Sequence, residues 1–232
     1  MWYIKYKLIQ LTLNERSPMP EKVKNAPTVR RMPIYLHRLL QLEQEGKESI
    51  STTELAEALN LDLIVVRKDI SLTGIAGFRR IGYNIQDLIR SIKKYVGWEI
   101  PLRAAVIGAS PSGYAMSVYR DFPLFGVTVE SVYDEDVEKA KRLYGDDAGR
   151  FVFYNMAEME TRLQADKPDM IILTVPAANA QKIAETAVNA GIKYIWNFTG
   201  VALRLPPDVT VQRETIAGSL ATLTAKMKLD RK

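Results

Sequence analysis

The sequence predicts an α/β chain in two parts: an N-terminal winged helix-turn-helix, then a Rossmann doubly wound parallel-sheet domain followed by a C-terminal helix. Three observations predict it. Residues 103–134 run as strand, glycine-marked turn, helix, second strand and acid. Beyond Trp98, apolar strand-like runs alternate with helical stretches, the signature of a parallel sheet. Ahead of it, three helical stretches and a basic hairpin fill the segment between Val29 and Tyr83. The expected divisions are an extension over 1–24, a winged-helix domain over 25–98, a nucleotide-binding domain over 99–212 and a C-terminal helix over 213–232.

Taken in order, Met1 to Leu13 is apolar but broken by Lys5, Lys7 and Gln10, and is not read as a secretion signal. Residues 1–18 are expected to be dispensable and loosely packed, with Met19 as an alternative start. Val29 to Gly46 places Met32, Leu36, Leu39, Leu40 and Leu42 near helical spacing. Ser51-Thr52-Thr53-Glu54 is a capping box that opens a second helix, and Asp62 caps a third, running to about Thr73. Val66 and Ile70 should face inward on that third helix, leaving Arg67, Lys68 and Ser71 outward. Phe78-Arg79-Arg80-Ile81-Gly82-Tyr83 forms a basic hairpin, and Ile85 to Tyr95 a fourth helix.

In the second part the predicted strands are Ala104–Ile107, Val127–Tyr133, Phe151–Tyr154, Met170–Val175, Tyr194–Asn197 and Val209–Gln212. Asn179–Ala190 is the clearest helix between them and stops at Gly191. Ligands of such sheets bind at the carboxyl ends of strands. Ser110, Asp134, Val175-Pro176-Ala177 and Asn197-Phe198-Thr199 all fall there, so they are expected to share one pocket.

Composition narrows the function classes. Hydrophobic residues make up 47% of 232 and mean hydropathy is −0.11, which is ordinary for a chain with ample core. Cysteine is absent, removing disulfides and thiolate metal sites and fitting a reducing cytoplasm. No apolar run approaches the roughly 20 residues of a membrane span. Of the net charge of +5, residues 1–98 hold 16 Lys+Arg against 10 Asp+Glu, and the remainder 16 against 17. The excess positive charge therefore sits on the front part, as in a polyanion-binding module. His37 is the one histidine, so neither a catalytic triad nor a typical zinc site can be assembled, and no catalytic residue is assigned.

The sharpest motif is Gly108-Ala109-Ser110-Pro111-Ser112-Gly113 after the run Ala104 to Ile107, with Asp134 at the end of the next strand. Glycines at such a turn allow close approach of a pyrophosphate and of helix to strand, and the acid accepts from a ribose hydroxyl. Ser110 occupies the place of the middle glycine, and Pro111 removes an amide donor. The candidate cofactor residues are Gly108, Ser110, Gly113, Asp134, Val175, Pro176, Asn197 and Phe198. The candidate DNA-binding residues are Arg30, Arg31, Arg67, Lys68, Ser71 and Arg79; Leu63 and Val65 are expected to face thymine methyls.

The chain resembles the redox-sensing transcriptional repressors called Rex. The likeness rests on Thr28-Val29-Arg30-Arg31-Met32-Pro33-Ile34-Tyr35, Val66-Arg67-Lys68-Asp69-Ile70-Ser71, Gly82-Tyr83-Asn84-Ile85, Thr174-Val175-Pro176-Ala177, Gly191-Ile192-Lys193 and Asn197-Phe198, in that order. It implies a homodimer that binds operator DNA, senses NAD(H) and lets go when NADH rises. It also implies a C-terminal helix, Thr215 to Lys228 here, exchanged between subunits. Departures from the pattern are Ser110, Leu72-Thr73 in place of an aromatic pair, Phe78 in place of a wing lysine, apolar Leu63 and Val65, Gly200 in place of a proline, and Thr215 and Ser219 in place of acids. NAD(H) binding weakened by Ser110 is expected, with CoA, another nucleotide or no ligand as alternatives. A small NAD-linked oxidoreductase and a CoA-binding module serving a protein partner are the competing functions.

Overall fold

The computed structural model describes residues 25–230. The expectations for residues 1–18 lie outside that range. The described chain forms two compact units: one reaches Pro101 and also takes in Pro123–Gly126, and the other comprises Leu102–Phe122 and the chain from Val127 onward.

In the first unit, α1 (Ala26–Gln44) buries Met32, Tyr35, Leu36, Leu39 and Leu42 along one stripe. It begins three residues before Val29 because Pro27 lies in the first turn, where the missing N–H has no intrahelical partner to lose. Then come β1 (Ser49–Ile50), α2 (Thr52–Leu59), α3 (Leu63–Leu72), β2 (Tyr83–Asn84) and α4 (Ile85–Val96). The capping box is present in full: Glu54 N–H donates to Ser51 Oγ at 3.1 Å, and Ser51 N–H to Glu54 Oε2 at 2.8 Å. Asp62 Oδ1 accepts from Ile64 N–H at 2.7 Å and opens α3. The expected hairpin is reduced to one bridge, Phe78 to Gly82. The ladder proper is antiparallel, with Ser49 opposite Asn84 and Ile50 opposite Tyr83. A two-residue strand carries no alternation, which is why Ser49–Ile50 has no sequence signal.

The second unit is a six-stranded sheet: β3 (Leu102–Ile107), β4 (Val127–Asp134), β5 (Val152–Asn155), β6 (Met170–Leu173), β7 (Tyr194–Asn197) and β8 (Thr210–Arg213). All neighbours run parallel, in the order β5-β4-β3-β6-β7-β8. The helices are α5 (Pro111–Ser117), α6 (Val137–Tyr144), α7 (Met159–Asp166), α8 (Ala177–Asn189) and α9 (Ile216–Asp230). The strand order reverses between β3 and β6, and a ligand crevice is expected at such a switch point. Ala105, Ile107, Tyr133, Ile171 and Leu173 fill the core against Ala180, Ala184 and Ala187 of α8. No residue of α9 is buried.

Candidate nucleotide cleft and nucleic-acid interface

The β3–α5 turn is built by close packing. Gly108 holds φ +101, and a Cβ on it would sit 2.9 Å from Val175 Cγ1; one on Gly113 would lie 2.1 Å from Gly108 O. No larger residue fits either place. Thr174 Oγ1 donates to Gly108 O at 2.7 Å, tying this turn to the end of β6. Ser110 is at φ −70, where any residue is comfortable, and caps α5: its Oγ accepts from Gly113 N–H at 3.2 Å. The same hydroxyl lies 3.1 Å from Thr174 O, to which it donates, and 2.9 Å from Ser112 Oγ. Its hydrogen-bonding capacity is therefore spent inside the turn.

Asp134 is aimed by two backbone amides. Its Oδ2 accepts from Ala109 N–H at 2.8 Å and its Oδ1 from Asp136 N–H at 3.0 Å. Gly108, Ala109, Ser110 and Pro111 on one side, and Asp134 and Glu135 on another, line a cavity of about 510 Å³. Thr174, Val175 and Pro176 form a further side. The cavity sits over the switch point, and its volume suits a small-molecule site. Ala140, Leu143 and Ile183 make an apolar wall, and Lys139 and Asn179 add polar groups. None of these five was singled out from the sequence. Lys139 had the one usable signal, a cation five residues beyond Asp134 in the first turn of the helix that follows.

Four of the residues expected to share the pocket, Ala177, Asn197, Phe198 and Thr199, do not line the cavity. Asn197 is fully buried, its Nδ2 donating to Val201 O at 2.9 Å and its Oδ1 accepting from Thr199 N–H and Oγ1 at 2.9 and 2.7 Å. It shapes the loop after β7 and does not line the cavity. Phe198 packs against Trp196 with ring centres 5.0 Å apart and planes tilted by 54°, and is likewise outside the cavity. Gly113 lies beneath the cavity as packing.

On the first unit, α3 turns Val66 and Ile70 fully inward and leaves Arg67, Lys68 and Ser71 exposed. Arg30 and Arg79 are exposed as well. None of Arg30, Arg67, Lys68 or Arg79 forms an ion pair with a described residue. Ser71 Oγ donates back to Lys68 O at 2.7 Å. Leu63 is half-buried against the helical core and Val65 is half-buried too, whereas Ile64, 75% exposed, is the apolar side chain that the helix start offers most fully to solvent. Arg80, the second arginine of the basic hairpin, is exposed beside Arg79.

Arg31 belongs to a different device. Asp69 of α3 is fully buried and accepts four hydrogen bonds: Arg31 Nε at 2.6 Å and Nη2 at 2.8 Å, Thr28 Oγ1 at 2.7 Å and Tyr35 OH at 2.7 Å. Burial pushes the Asp69 carboxyl up, but the bonds from Arg31, Thr28 and Tyr35 outweigh it and hold the group below the usual carboxylate range. Burial and the bond to Asp69 raise Tyr35. One face of α1 is thus clamped to the helix that carries Arg67 and Lys68.

Comparison with known proteins bears on both units. Residues 26–71 match the family described as "Putative DNA-binding protein N-terminus", and residues 100–201 the family described as "CoA binding domain". The crystal structure of RSP in complex with β-NAD+ and operator DNA is similar with a TM-score of 0.79 at 28% identity, covering 91% of this chain and 95% of that one. RSP in complex with β-NADH gives a TM-score of 0.75 at 27% identity, covering 91% and 97%. The redox-sensing transcriptional repressor Rex of Lactobacillus gasseri is 35% identical over 84% of this chain and 90% of its own length. That of Treponema denticola is 41% identical over 89% of this chain and 97% of its own length. A helix with exposed basic groups, a cavity at the switch point of a parallel sheet, and likeness along nearly the whole chain converge: the protein belongs to the Rex family of redox-sensing transcriptional repressors.

Proposed function

We propose that this chain represses transcription by holding operator DNA with its first unit, and that NADH, competing with NAD+ in the cavity of the second, releases it. The observation that carries the reading is the combination in one chain of exposed Arg67 and Lys68, which form no ion pair among the described residues, with a cleft in which Asp134 is aimed by backbone amides. Asp134 accepts from a ribose 2′-hydroxyl and repels a 2′-phosphate, and Glu135 beside it adds to that repulsion, ranking NAD(H) above NADP(H). Val175 and Pro176, with Ile183 and Leu143, supply apolar surface for the adenine. Asn197 and Phe198 act indirectly, by shaping the loop beyond β7.

Ser110 weakens cofactor binding in this reading. Its side chain stands where a glycine would let the pyrophosphate approach, and its hydroxyl is already committed to Gly113, Thr174 and Ser112. Arg67, Lys68, Ser71 and Arg79 meet the DNA, with Arg30 on phosphate. Arg31 keeps Nη1 for a phosphate while its other nitrogens hold Asp69.

The active species is a homodimer joined through α9. Ile216, Leu220, Leu223 and Met227 recur at spacings of four, three and four residues and are 83%, 56%, 56% and 45% exposed. Such a stripe is the seam of a helix that lacks its partner. Calorimetric titration with NADH, NAD+, NADPH and CoA tests the cofactor reading, with gel shifts of a DNA duplex run in parallel. NADH should bind tightest and release the duplex. CoA binding with no NADH binding would favour the CoA-domain likeness of residues 100–201 instead.

A further inference from the structure

The wing is a closed loop with an unusual set of side chains. Phe78 N–H donates to Gly82 O at 2.7 Å, Gly82 N–H returns to Phe78 O at 3.0 Å, and Ile81 N–H reaches the same oxygen at 3.2 Å. Gly82 pins the neck: its φ is +91, and a Cβ there would lie 2.4 Å from Ile50 O of β1. The loop is held at its base, and its four remaining side chains point to solvent. Phe78 is 64% and Ile81 61% exposed, flanking Arg79 and Arg80, both exposed. Neither arginine forms an ion pair with a described residue.

Folding gains nothing from this arrangement. Two large apolar side chains on one short loop leave their surface in water. Arg80 holds φ +68, a left-handed conformation in which glycine is unstrained and arginine is not. A strained cation between two exposed apolar groups, on a loop rooted in a sheet, is a feature kept for a partner. The partner must be anionic, narrow enough for two guanidinium groups and apolar between its charges. The minor groove of duplex DNA, with phosphate walls and stacked bases, has that chemistry.

We propose that the wing is a minor-groove wedge: Arg79 and Arg80 occupy the groove while Phe78 and Ile81 press into a base step, partly unstack it and bend the duplex. The proposal rests on the DNA-binding reading and adds a second source of specificity. Positions under the wing are selected by deformability, favouring flexible pyrimidine–purine steps in A·T-rich sequence, and not by base-edge hydrogen bonds.

The test uses the full chain and a duplex that it enriches from a random-sequence pool. That duplex carries 2-aminopurine in place of adenines on either side of the recognition-helix contacts, and a dye pair at its ends. Binding of the unmodified protein should brighten one 2-aminopurine and shorten the end-to-end distance. The double variant Phe78→Ala, Ile81→Ala should lose both signals at saturating protein, while its melting curve stays in place because both side chains already face water. Arg67→Ala should weaken binding yet keep both signals at saturation. A bound duplex that stays straight and dark, or a double variant that bends and brightens it fully, overturns the wedge and leaves DNA binding standing. If no duplex of any sequence binds, the DNA-binding reading fails and takes the wedge with it.

Discussion

Removing the Asp69 carboxylate is the sharpest perturbation available in the first unit, because that one group satisfies donors from three residues of α1. In Asp69→Ala, the Tyr35 hydroxyl, fully buried, and the Thr28 hydroxyl, on a residue 4% exposed, lose their acceptor. Each unsatisfied buried group costs about 1–3 kcal/mol. Arg31 loses a bidentate partner, but its side chain is 28% exposed and can recover hydration, so its share falls below the range for a fully buried pair. Relief of the carboxylate's own desolvation offsets part of the loss. The net expectation is about 3 kcal/mol for Asp69→Ala and about 2 kcal/mol for Asp69→Asn, which keeps volume and one acceptor. Because the chain has two units, whole-chain melting would blend their transitions. Amide hydrogen exchange in peptides from α1 and α3 isolates the opening of the first unit. The folded pKa of Asp69 is depressed, so its contribution is present above the unfolded value of about 3.9 and lost as pH falls through the folded value. Asp69→Asn should therefore flatten the acid limb of the stability profile. A double-mutant cycle with Arg31→Ala should give clear coupling between the two sites. Additive costs, or an Asp69→Asn cost under about 0.5 kcal/mol, would refute the clamp.

On the DNA side, Arg67→Ala should cost about 1–3 kcal/mol and relax preference at one base pair, whereas Lys68→Ala should lower the salt slope by about one if it meets phosphate. Gel shifts across a salt series separate them, and unchanged affinity in both variants would displace the recognition helix. Ser110→Gly should tighten NADH while stability drops by only a few tenths of a kcal/mol, since glycine is itself a tolerable cap. Asp134→Ala should weaken NADH and narrow its margin over NADPH; calorimetry reads both, and no effect in either variant would move the cofactor elsewhere. Leu220→Asp with Leu223→Asp puts two charges on the α9 seam and should yield monomers in sedimentation, a result incompatible with a dimer built any other way. Arg80→Gly should stabilise the first unit by about 1 kcal/mol through relief of its left-handed backbone, and a loss of stability would contradict that strain.

Much of this architecture is local and could be read from neighbours in the chain. Ser51 with Glu54, and Asp62, announced the starts of α2 and α3 because a cap acts on amides two or three residues away. The six strands, the turn from Gly108 to Gly113 and the acid at Asp134 were legible for the same reason: periodicity and glycine placement act over a few residues. What joined distant residues was not. The order β5-β4-β3-β6-β7-β8 set the cleft between β3 and β6, and brought Lys139 and Ile183 to it while turning Asn197 into a loop support. Leu63 and Ile64 are both apolar, and only packing decided which one faces water. Arg31 reads in sequence as one more cation for DNA, and only the fold brings Asp69, 38 positions away, to its Nε and Nη2. A charge cluster in sequence states how many cations exist. Tertiary structure decides which of them are neutralised inside the protein and which remain for a polyanion, because an ion pair depends on distance in space and burial, not on separation along the chain.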